Sequence, residues 1–350
     1  LVYQCNRCWK AGMSIDLSQF EAGKLYGGAY EKDLKSLQDR LSDLQALHIL
    51  HEARTLIIFE GWDAAGKGGA IKRMTSSLDP RFYQVFPISA PTSEEKDKHF
   101  LWRFWTKLPG KREMSIWDRS HYGRVLVERV EGFCTEIEWR RGYDEINEFE
   151  SRQSEIGTKI IKIFLHVTAE TQDRILVERL DDPSKRWKVT AEDFRNRDKR
   201  DAYLDALNDM FKRTHMRWAP WTVIDGNNQK AARIAVLSHV IAELEKSVPQ
   251  EFPDSDPEIL ALAQRTIGYW RPDAKAGLEA AYQSVLNGQD GRRWMQHFGK
   301  GQWKPIEADY EVEPRDGADI ETTLDSRIQD IAHRALLERL QKYRAEHGSV

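Results

Sequence analysis

The chain has 350 residues, of which 40% are hydrophobic and 31% are charged, a composition typical of a soluble globular protein with one large domain or two ordinary ones. Its formal net charge of −3 gives no overall attraction to nucleic acid, and its apolar runs are too short to span a membrane, so we expect neither partner. The odd count of three cysteines does not indicate a disulfide framework and favours a reducing, cytoplasmic location. Cys5 and Cys8 have half of a zinc spacing, but without a second pair we predict no metal there.

Hydrophobic periodicity predicts alternating helices and strands over most of the chain. Apolar residues at helical spacing predict a first helix from Tyr30 to His51. Short apolar runs predict strands at 55–60, 83–88, 114–117, 159–167 and 221–226. Helices are predicted after residue 70 and over 93–105, 120–130, 136–156, 170–180, 191–213 and 229–247. This alternation predicts an α/β fold with a parallel five-stranded sheet sandwiched by helices.

The segment from Gly61 to Gly69 joins the first strand to a helix and has the Walker A spacing Gly61-x4-Gly66-Lys67. Glycines let the backbone pass close to phosphate oxygens, and the first helical amides point at the anion. The predicted phosphate-binding residues of this loop are Gly61, Ala64, Ala65, Gly66, Lys67, Gly68 and Gly69. The sequence therefore predicts a phosphate-binding loop.

One position in this loop departs from the Walker A pattern. Walker A usually ends in Ser or Thr, whose hydroxyl binds Mg²⁺, but this chain has Gly68. A metal ion would need another oxygen ligand, and Asp63 is the candidate, as a metal ligand or catalytic acid. The alternative is that Asp63 caps the following helix.

A carboxylate and two arginines follow the third strand. Asp118 ends the strand where P-loop enzymes place the carboxylate that holds Mg²⁺, although acids often close strands. Arg119 and Arg124 can bind phosphate oxygens with paired N–H donors, but Arg124 could equally pair with Glu128 or Glu131. Ligands of a parallel sheet bind at the carboxyl ends of its strands, so we expect the phosphate loop and Asp118 to meet.

The segment from Arg179 to Lys188 is basic, aromatic and rich in turn residues. It suits a mobile lid that closes over phosphates and excludes water; the alternative is an ordinary solvated loop. His121, His166 and His215 lack ligand-like spacing, so we expect structural roles for them. Beyond Pro249, residues 255–285 and 320–345 have helical patterns, and Gly288 to Gly317 is predicted to be irregular.

Three segments, in this order, resemble the polyphosphate kinase 2 family. Phe59–Gly69 is similar to its Walker A region, Asp118–Arg129 to its Walker B region, and Lys185–Lys188 with Asp193–Arg197 to its lid. The resemblance implies a P-loop kinase fold like that of thymidylate kinase over residues 30–248, with a helical lid at about 181–213. Residues 1–29 would be an N-terminal extension, and 249–350 a mainly helical extension of unknown role.

The family moves phosphoryl groups between inorganic polyphosphate and nucleotides with Mg²⁺, for which Mn²⁺ is an alternative. Carried over by position, the resemblance implies Asp63 and Asp118 as metal ligands. They would be catalytic residues together with Lys67 and Arg119. The implied phosphate or nucleotide contacts outside the loop are Arg124, Arg129, Arg179, Lys185, Arg186 and Lys188. We also expect a homo-oligomer, a dimer or a tetramer.

Gly123 and the segment 140–147 look most like members that phosphorylate AMP to ADP, and ADP-using members usually differ at the position of Gly123. His121 departs from the Trp usual in the family, and AMP-specific enzymes often carry two fused copies where this chain has one. We expect transfer from polyphosphate to AMP. The alternatives are a polyphosphate:ADP or GDP phosphotransferase, an ATP-dependent nucleotide kinase, and a non-catalytic module that binds polyphosphate or nucleotide.

Overall fold

The computed structural model describes residues 15–253, residues 259, 260, 262, 263 and 266, and the backbone of 295–298 and 302–305. The backbone divides into two compact units, Leu1–Asp254 and Ser255–Val350. The first unit contains the sheet and the candidate site.

A parallel five-stranded sheet forms the centre of the first unit, as predicted. Its strands are β1 (Arg54–Gly61), β2 (Tyr83–Pro87), β3 (Met114–Asp118), β4 (Thr158–His166) and β5 (Trp221–Asp225), in the order β2-β3-β1-β4-β5. All neighbouring strands run parallel. The central strand is buried from Thr55 to Glu60, because helices cover both faces of such a sheet. The prediction of an α/β fold with this sheet is confirmed.

The described helices cover the sheet and connect its strands. They are α1 (Tyr30–Leu50), α2 (Lys67–Thr75), α3 (Ser93–Lys96), α4 (Trp102–Trp105), α5 (Val127–Val130), α6 (Glu136–Glu155), α7 (Ala169–Asp181), α8 (Ala191–Asp198), α9 (Arg200–Thr214) and α10 (Gln229–Ser247). Helices α1, α2 and α10 contact one another, whereas α6 packs on β4 and α9. Among the residues that the structure describes, none of these helices combines the length and apolar character needed to cross a membrane.

Three predicted helices are wrong in extent. The helix predicted over 93–105 is two single-turn helices, α3 and α4, and the helix predicted over 120–130 is a 3₁₀ turn, His121–Arg124, followed by α5. The long charged helix over 191–213 is broken at Lys199 into α8 and α9. The break lets side chains on either side reach different partners: Asn196 bonds to the loop after β1, whereas Arg200 bonds to the carbonyl of Val167.

The prediction of irregular structure from Gly288 to Gly317 is wrong for residues 295–298 and 302–305, and the rest of that range lies outside the described residues. Strands β6 (Met295–Phe298) and β7 (Gln302–Pro305) form an antiparallel pair in the second unit. Two short runs separated by three residues that include glycine are a hairpin signal, which the prediction missed. The helix predicted over 320–345 lies outside the described residues, as does most of the helix predicted over 255–285.

A buried ion pair ties the segment after β3 to the rest of the sheet. Lys162, in the middle of β4, donates to Glu150 Oε2, to the Tyr122 hydroxyl and to the Thr214 carbonyl, each at 2.8 Å. The Tyr122 hydroxyl in turn donates to Glu150 Oε1 at 2.8 Å, and His121 Nε2 lies 3.3 Å from the same oxygen. Both side chains of the pair are fully buried, so each charge depends on the other for compensation.

We predict that Lys162→Met lowers the free energy of unfolding by about 3–5 kcal/mol, because it leaves the Glu150 carboxylate buried without its cation. Urea unfolding at pH 7 measures the loss. Lys35→Met is the matched control, since Lys35 pairs with Asp39 on the surface and its loss costs below about 1 kcal/mol. Equal small losses in the two variants would contradict a structural role for the buried pair.

Candidate active site

The loop after β1 is shaped by glycines that no other residue could replace without strain. Gly61 has a φ of +146°, and a Cβ on it would lie 2.4 Å from the Leu165 carbonyl oxygen. Gly66 has a φ of +96° and is the N-cap of α2, where no side chain makes a capping hydrogen bond. The alternative role of Asp63 as a helix cap is therefore wrong. The first amides of α2 remain open to an anion at the positive end of the helix dipole.

Lys67 folds back over the loop that precedes it. Its side chain is 9% exposed, and Nζ donates to the carbonyls of Gly61 at 2.8 Å and Trp62 at 3.0 Å. Burial lowers the pKa of Lys67, while the carboxylates of Asp63 and Asp118 act to raise it. An ammonium group has three N–H donors, so these two bonds leave one for a phosphate oxygen.

Asp63 connects three segments that are distant in sequence. Arg119 Nη2 donates to Asp63 Oδ1 at 2.7 Å, and Asn196 Nδ2, from α8, donates to Oδ2 at 2.8 Å. Burial opposes ionisation of Asp63, but the charges of Lys67 and Arg119 and the two hydrogen bonds outweigh it and lower its pKa. Asp63 is therefore a carboxylate at neutral pH.

Asp118 closes β3 beside the start of α2. A Cβ on Gly68 would lie 3.9 Å from Asp118 Oδ2, so the glycine leaves space next to this carboxylate. Carboxylate oxygens are the ligands that Mg²⁺ prefers, and both Asp63 and Asp118 lie close enough to Lys67 to act on its charge. Within the described residues, no group of three or more His, Cys, Asp or Glu side chains could hold a metal. A cation would therefore take further ligands from water or phosphate, as Mg²⁺ commonly does.

Glu60 is an acidic group of this site that the sequence reasoning missed. It is buried near the carboxyl end of β1 and accepts a hydrogen bond of 2.7 Å from the Ser120 hydroxyl. Burial raises its pKa, although Ser120 and the nearby Lys67 and Arg119 act in the opposite direction. An acid in an otherwise apolar strand was the available signal.

A cavity of about 720 Å³ opens beside Asp63 and Arg119. Phe100, Arg103 and Arg124 line it on one side, and Asn196 contributes from α8. Arg124 lies with its guanidinium 4.6 Å from the Phe100 ring centroid. The volume of the cavity is that of a typical small-ligand pocket.

Arg124 and Arg103 supply positive charge to the cavity. Arg124 Nη1 pairs with Glu128 at 3.0 Å, so the alternative ion pair is present in addition to the position on the cavity wall. Arg103, which the sequence reasoning missed, donates from Nη2 to the Ser89 carbonyl at 2.8 Å. The Nε atoms of both arginines are buried and have no hydrogen-bond partner in the described part of the chain. The described contacts therefore leave these two N–H donors unused.

The structure does not bring the other predicted basic residues to this cavity. Arg129 pairs with Asp209 at 2.8 Å and donates to the Tyr143 hydroxyl, which is a structural arrangement. The remaining four lie on α7 or in the segment that follows it: Arg179, Lys185, Arg186 and Lys188. None of these five side chains, all within residues 15–253, lines the cavity. Their binding roles stay predictions.

The basic side chains of the segment after α7 contact the segment itself or the end of α7. Lys185 pairs with Asp182, Arg186 Nε donates to the Leu180 carbonyl at 2.7 Å, and Lys188 Nζ lies 5.3 Å from the centroid of the Trp187 ring. Trp187 is 75% exposed. The segment is therefore available to a ligand, while Asn196 of α8 already contacts Asp63.

Comparison with known proteins connects this geometry to a family. The sequence model of the family Polyphosphate kinase 2 matches residues 24–251. The chain belongs to the polyphosphate kinase 2 family. A crystal structure of Polyphosphate Kinase 2 from Arthrobacter aurescens TC1 is 33% identical, with a TM-score of 0.67 over 75% of this chain and 95% of that one.

Two curated relatives of this chain have names that differ in the nucleotide. A Polyphosphate:AMP phosphotransferase from Pseudomonas aeruginosa is 45% identical over 238 residues, which are 68% of this chain and 47% of that protein. An ADP-polyphosphate phosphotransferase 3 from Rhizobium meliloti is 37% identical over 72% of this chain and 88% of its own length. The chain spans about half the length of the polyphosphate:AMP phosphotransferases that it matches.

We predict that Lys67→Met weakens binding of tripolyphosphate about tenfold or more, because it removes the charge inside the loop. Isothermal titration calorimetry measures the affinity, and circular dichroism checks the fold. Lys72→Met, an exposed position on the same helix, is the matched control and should bind like the unmodified protein. Equal affinity of both variants would contradict the assignment of the loop as the phosphate site.

Proposed function

We propose that the chain is a phosphotransferase that moves the terminal phosphoryl group of inorganic polyphosphate to AMP, giving ADP, and that residues 30–248 carry this activity. One observation carries the proposal: Lys67, the Asp63–Arg119 pair and Asn196 of α8 meet at one edge of the sheet beside a cavity of about 720 Å³. The name of the relative at 45% identity supports polyphosphate as donor and AMP as acceptor.

The reaction needs positioning and charge neutralisation more than covalent chemistry. A phosphate oxygen of AMP attacks the terminal phosphorus of the chain, a new P–O bond forms, and the bond to the next phosphate breaks to release the shortened polyphosphate. The amides at the start of α2 and the Lys67 ammonium hold the phosphates in place. Arg119 lies where it can share the negative charge that spreads over the transferred group.

A divalent cation, Mg²⁺ with Mn²⁺ as an alternative, would be held by Asp63 and Asp118 and would neutralise phosphate charge. A carboxylate has about four lone-pair sites, so Asp63 can keep its bonds to Arg119 and Asn196 and still bind a cation. An acid inside a phosphate loop would otherwise repel the substrate.

The residues that line the cavity favour a nucleotide as the acceptor of the phosphoryl group. Phe100 offers an aromatic face, and the guanidinium charges of Arg103 and Arg124 on the cavity wall attract its phosphate. Gly123 also lines the cavity, and a Cβ there would lie 3.6 Å from Val127 Cγ1. That distance is an ordinary van der Waals contact, so a side chain at this position would become part of the cavity wall. We propose that this difference separates AMP-using from ADP-using members.

The donor is a polyanion, and the basic segment Arg179–Lys188 is proposed to close over it as a lid. The exposed position of this segment and the contact between α8 and Asp63 support that role. We further propose a cytoplasmic homo-oligomer, a dimer or a tetramer, with neither a nucleic-acid nor a membrane partner. Light scattering of the purified protein measures the assembly.

We predict rapid formation of ADP from AMP, long-chain polyphosphate and Mg²⁺, with little ATP formed when ADP replaces AMP. Chromatography of the nucleotides measures both products, and a reaction without polyphosphate is the control. ATP formed from ADP alone would favour the second candidate, an ADP phosphotransferase, which the relative from Rhizobium meliloti supports. Transfer from ATP but not from polyphosphate would overturn the proposed donor.

A further inference from the structure

We propose that Trp62, His166 and Glu21 form a hydrogen-bonded chain that positions the phosphate loop, so that the segment 15–29 is part of the active-site machinery. The proposal deepens the proposed function and rests on it for its kinetic consequence. These three side chains would act on the phosphate through Lys67 and the loop backbone, so they are positioning residues and not catalytic ones.

Trp62 is the aromatic side chain of the loop Gly61–Gly69, and it is only 6% exposed. Its carbonyl accepts one of the two hydrogen bonds that hold Lys67 Nζ in place. The Arg200 guanidinium lies 4.0 Å from its ring centroid, and the Tyr203 ring makes an edge contact with it. The residue whose indole makes these contacts therefore also provides a backbone anchor of the Lys67 ammonium.

His166 is the last residue of β4 and accepts a hydrogen bond from the indole of Trp62. Trp62 Nε1 donates to His166 Nδ1 at 2.9 Å. An indole N–H can only donate, so Nδ1 must be the unprotonated nitrogen and the ring proton lies on Nε2. Nε2 is 3.0 Å from Glu21 Oε1, which accepts the proton's hydrogen bond. Each residue of the hydrogen-bonded chain therefore donates to the next, from Trp62 to His166 and from His166 to Glu21.

Burial lowers the pKa of His166, and the nearby Arg200 charge lowers it further. The carboxylates of Glu21 and Asp225 act to raise the pKa but do not outweigh burial. The neutral ring that this arrangement requires is therefore favoured. Protonation of Nδ1 would remove the acceptor of the indole N–H. The tautomer is thus set by the two partners rather than by solvent, because His166 is 1% exposed.

The segment that carries Glu21 is fixed to the carboxyl ends of β4 and β5. Leu17 and Phe20 are buried in the core, and the Gly23 amide donates to Asp225 Oδ2 at 2.7 Å. Asn227 Nδ2 donates to the Phe20 carbonyl. These contacts hold Glu21 within hydrogen-bond distance of His166. The segment 15–29 therefore reaches the same edge of the sheet as the phosphate loop.

The test measures tripolyphosphate affinity by calorimetry and AMP phosphorylation by steady-state kinetics for Glu21→Ala, Glu21→Gln and Trp62→Phe. We expect Glu21→Ala and Trp62→Phe each to weaken tripolyphosphate binding and lower kcat/KM about three- to tenfold, the size of one lost hydrogen bond. Glu21→Gln keeps an acceptor oxygen and should restore most of the loss. The exposed Glu31→Ala on α1 is the matched control.

The double variant Glu21→Ala/Trp62→Phe distinguishes a connected chain from two separate effects. If the three residues act as one chain, the loss of affinity in the double variant stays close to that of the larger single loss. Losses of affinity that multiply in the double variant would overturn the inference. A Glu21→Ala variant that binds tripolyphosphate like the unmodified protein would also overturn it.

Tripolyphosphate affinity, and not activity, decides the inference. An unmodified protein that binds tripolyphosphate but does not phosphorylate AMP would therefore refute the proposed function and leave the inference standing. A lower melting temperature with unchanged affinity would indicate a purely structural role and would overturn the inference.

Discussion

The Asp63 carboxylate, held between Arg119 and Asn196, is the interaction on which the rest of the site depends. It joins the loop after β1, the segment after β3 and helix α8, which are otherwise separated by 56 and 133 residues. A largely buried carboxylate is stable there because Lys67 and Arg119 surround it with positive charge, which also keeps its pKa low. The site is therefore built around a negative charge that a cation or a phosphate must accommodate.

The segments that carry Asp63 and Arg119 follow the carboxyl ends of β1 and β3 and adopt strained backbone conformations. Arg119 adopts a φ of +66° and Ala64 a φ of +65°, a region that non-glycine residues rarely occupy. Such strain persists where the surroundings impose it, and here the buried Lys162–Glu150 pair, through Tyr122, secures the segment that carries Arg119. From the other side, His166 and Glu21 secure the indole of Trp62. Rigid support for a charged loop is what catalysis by positioning requires.

Sequence reasoning identified the parts of the molecule that have local signatures. The five strands follow from short apolar runs, and the grouping of Asp63, Lys67 and Asp118 follows from a loop with fixed spacing at the edge of a parallel sheet. It missed Glu150 with Lys162 and Glu21 with His166, because a single polar residue in a strand or helix has no periodicity and its partner is 12 or 145 residues away. It also missed the break at Lys199, which depends on the tertiary contacts of Asn196 and Arg200.

The measurement that tests this account most directly is the turnover of Asp63→Asn with AMP, polyphosphate and Mg²⁺. The substitution keeps the shape of the side chain and removes its charge. We expect kcat to fall at least about a hundredfold, with little change in the melting temperature, because the charge that organises Arg119 and the cation is lost. A kcat within about threefold of the unmodified protein, in a folded variant, would contradict the central place of Asp63.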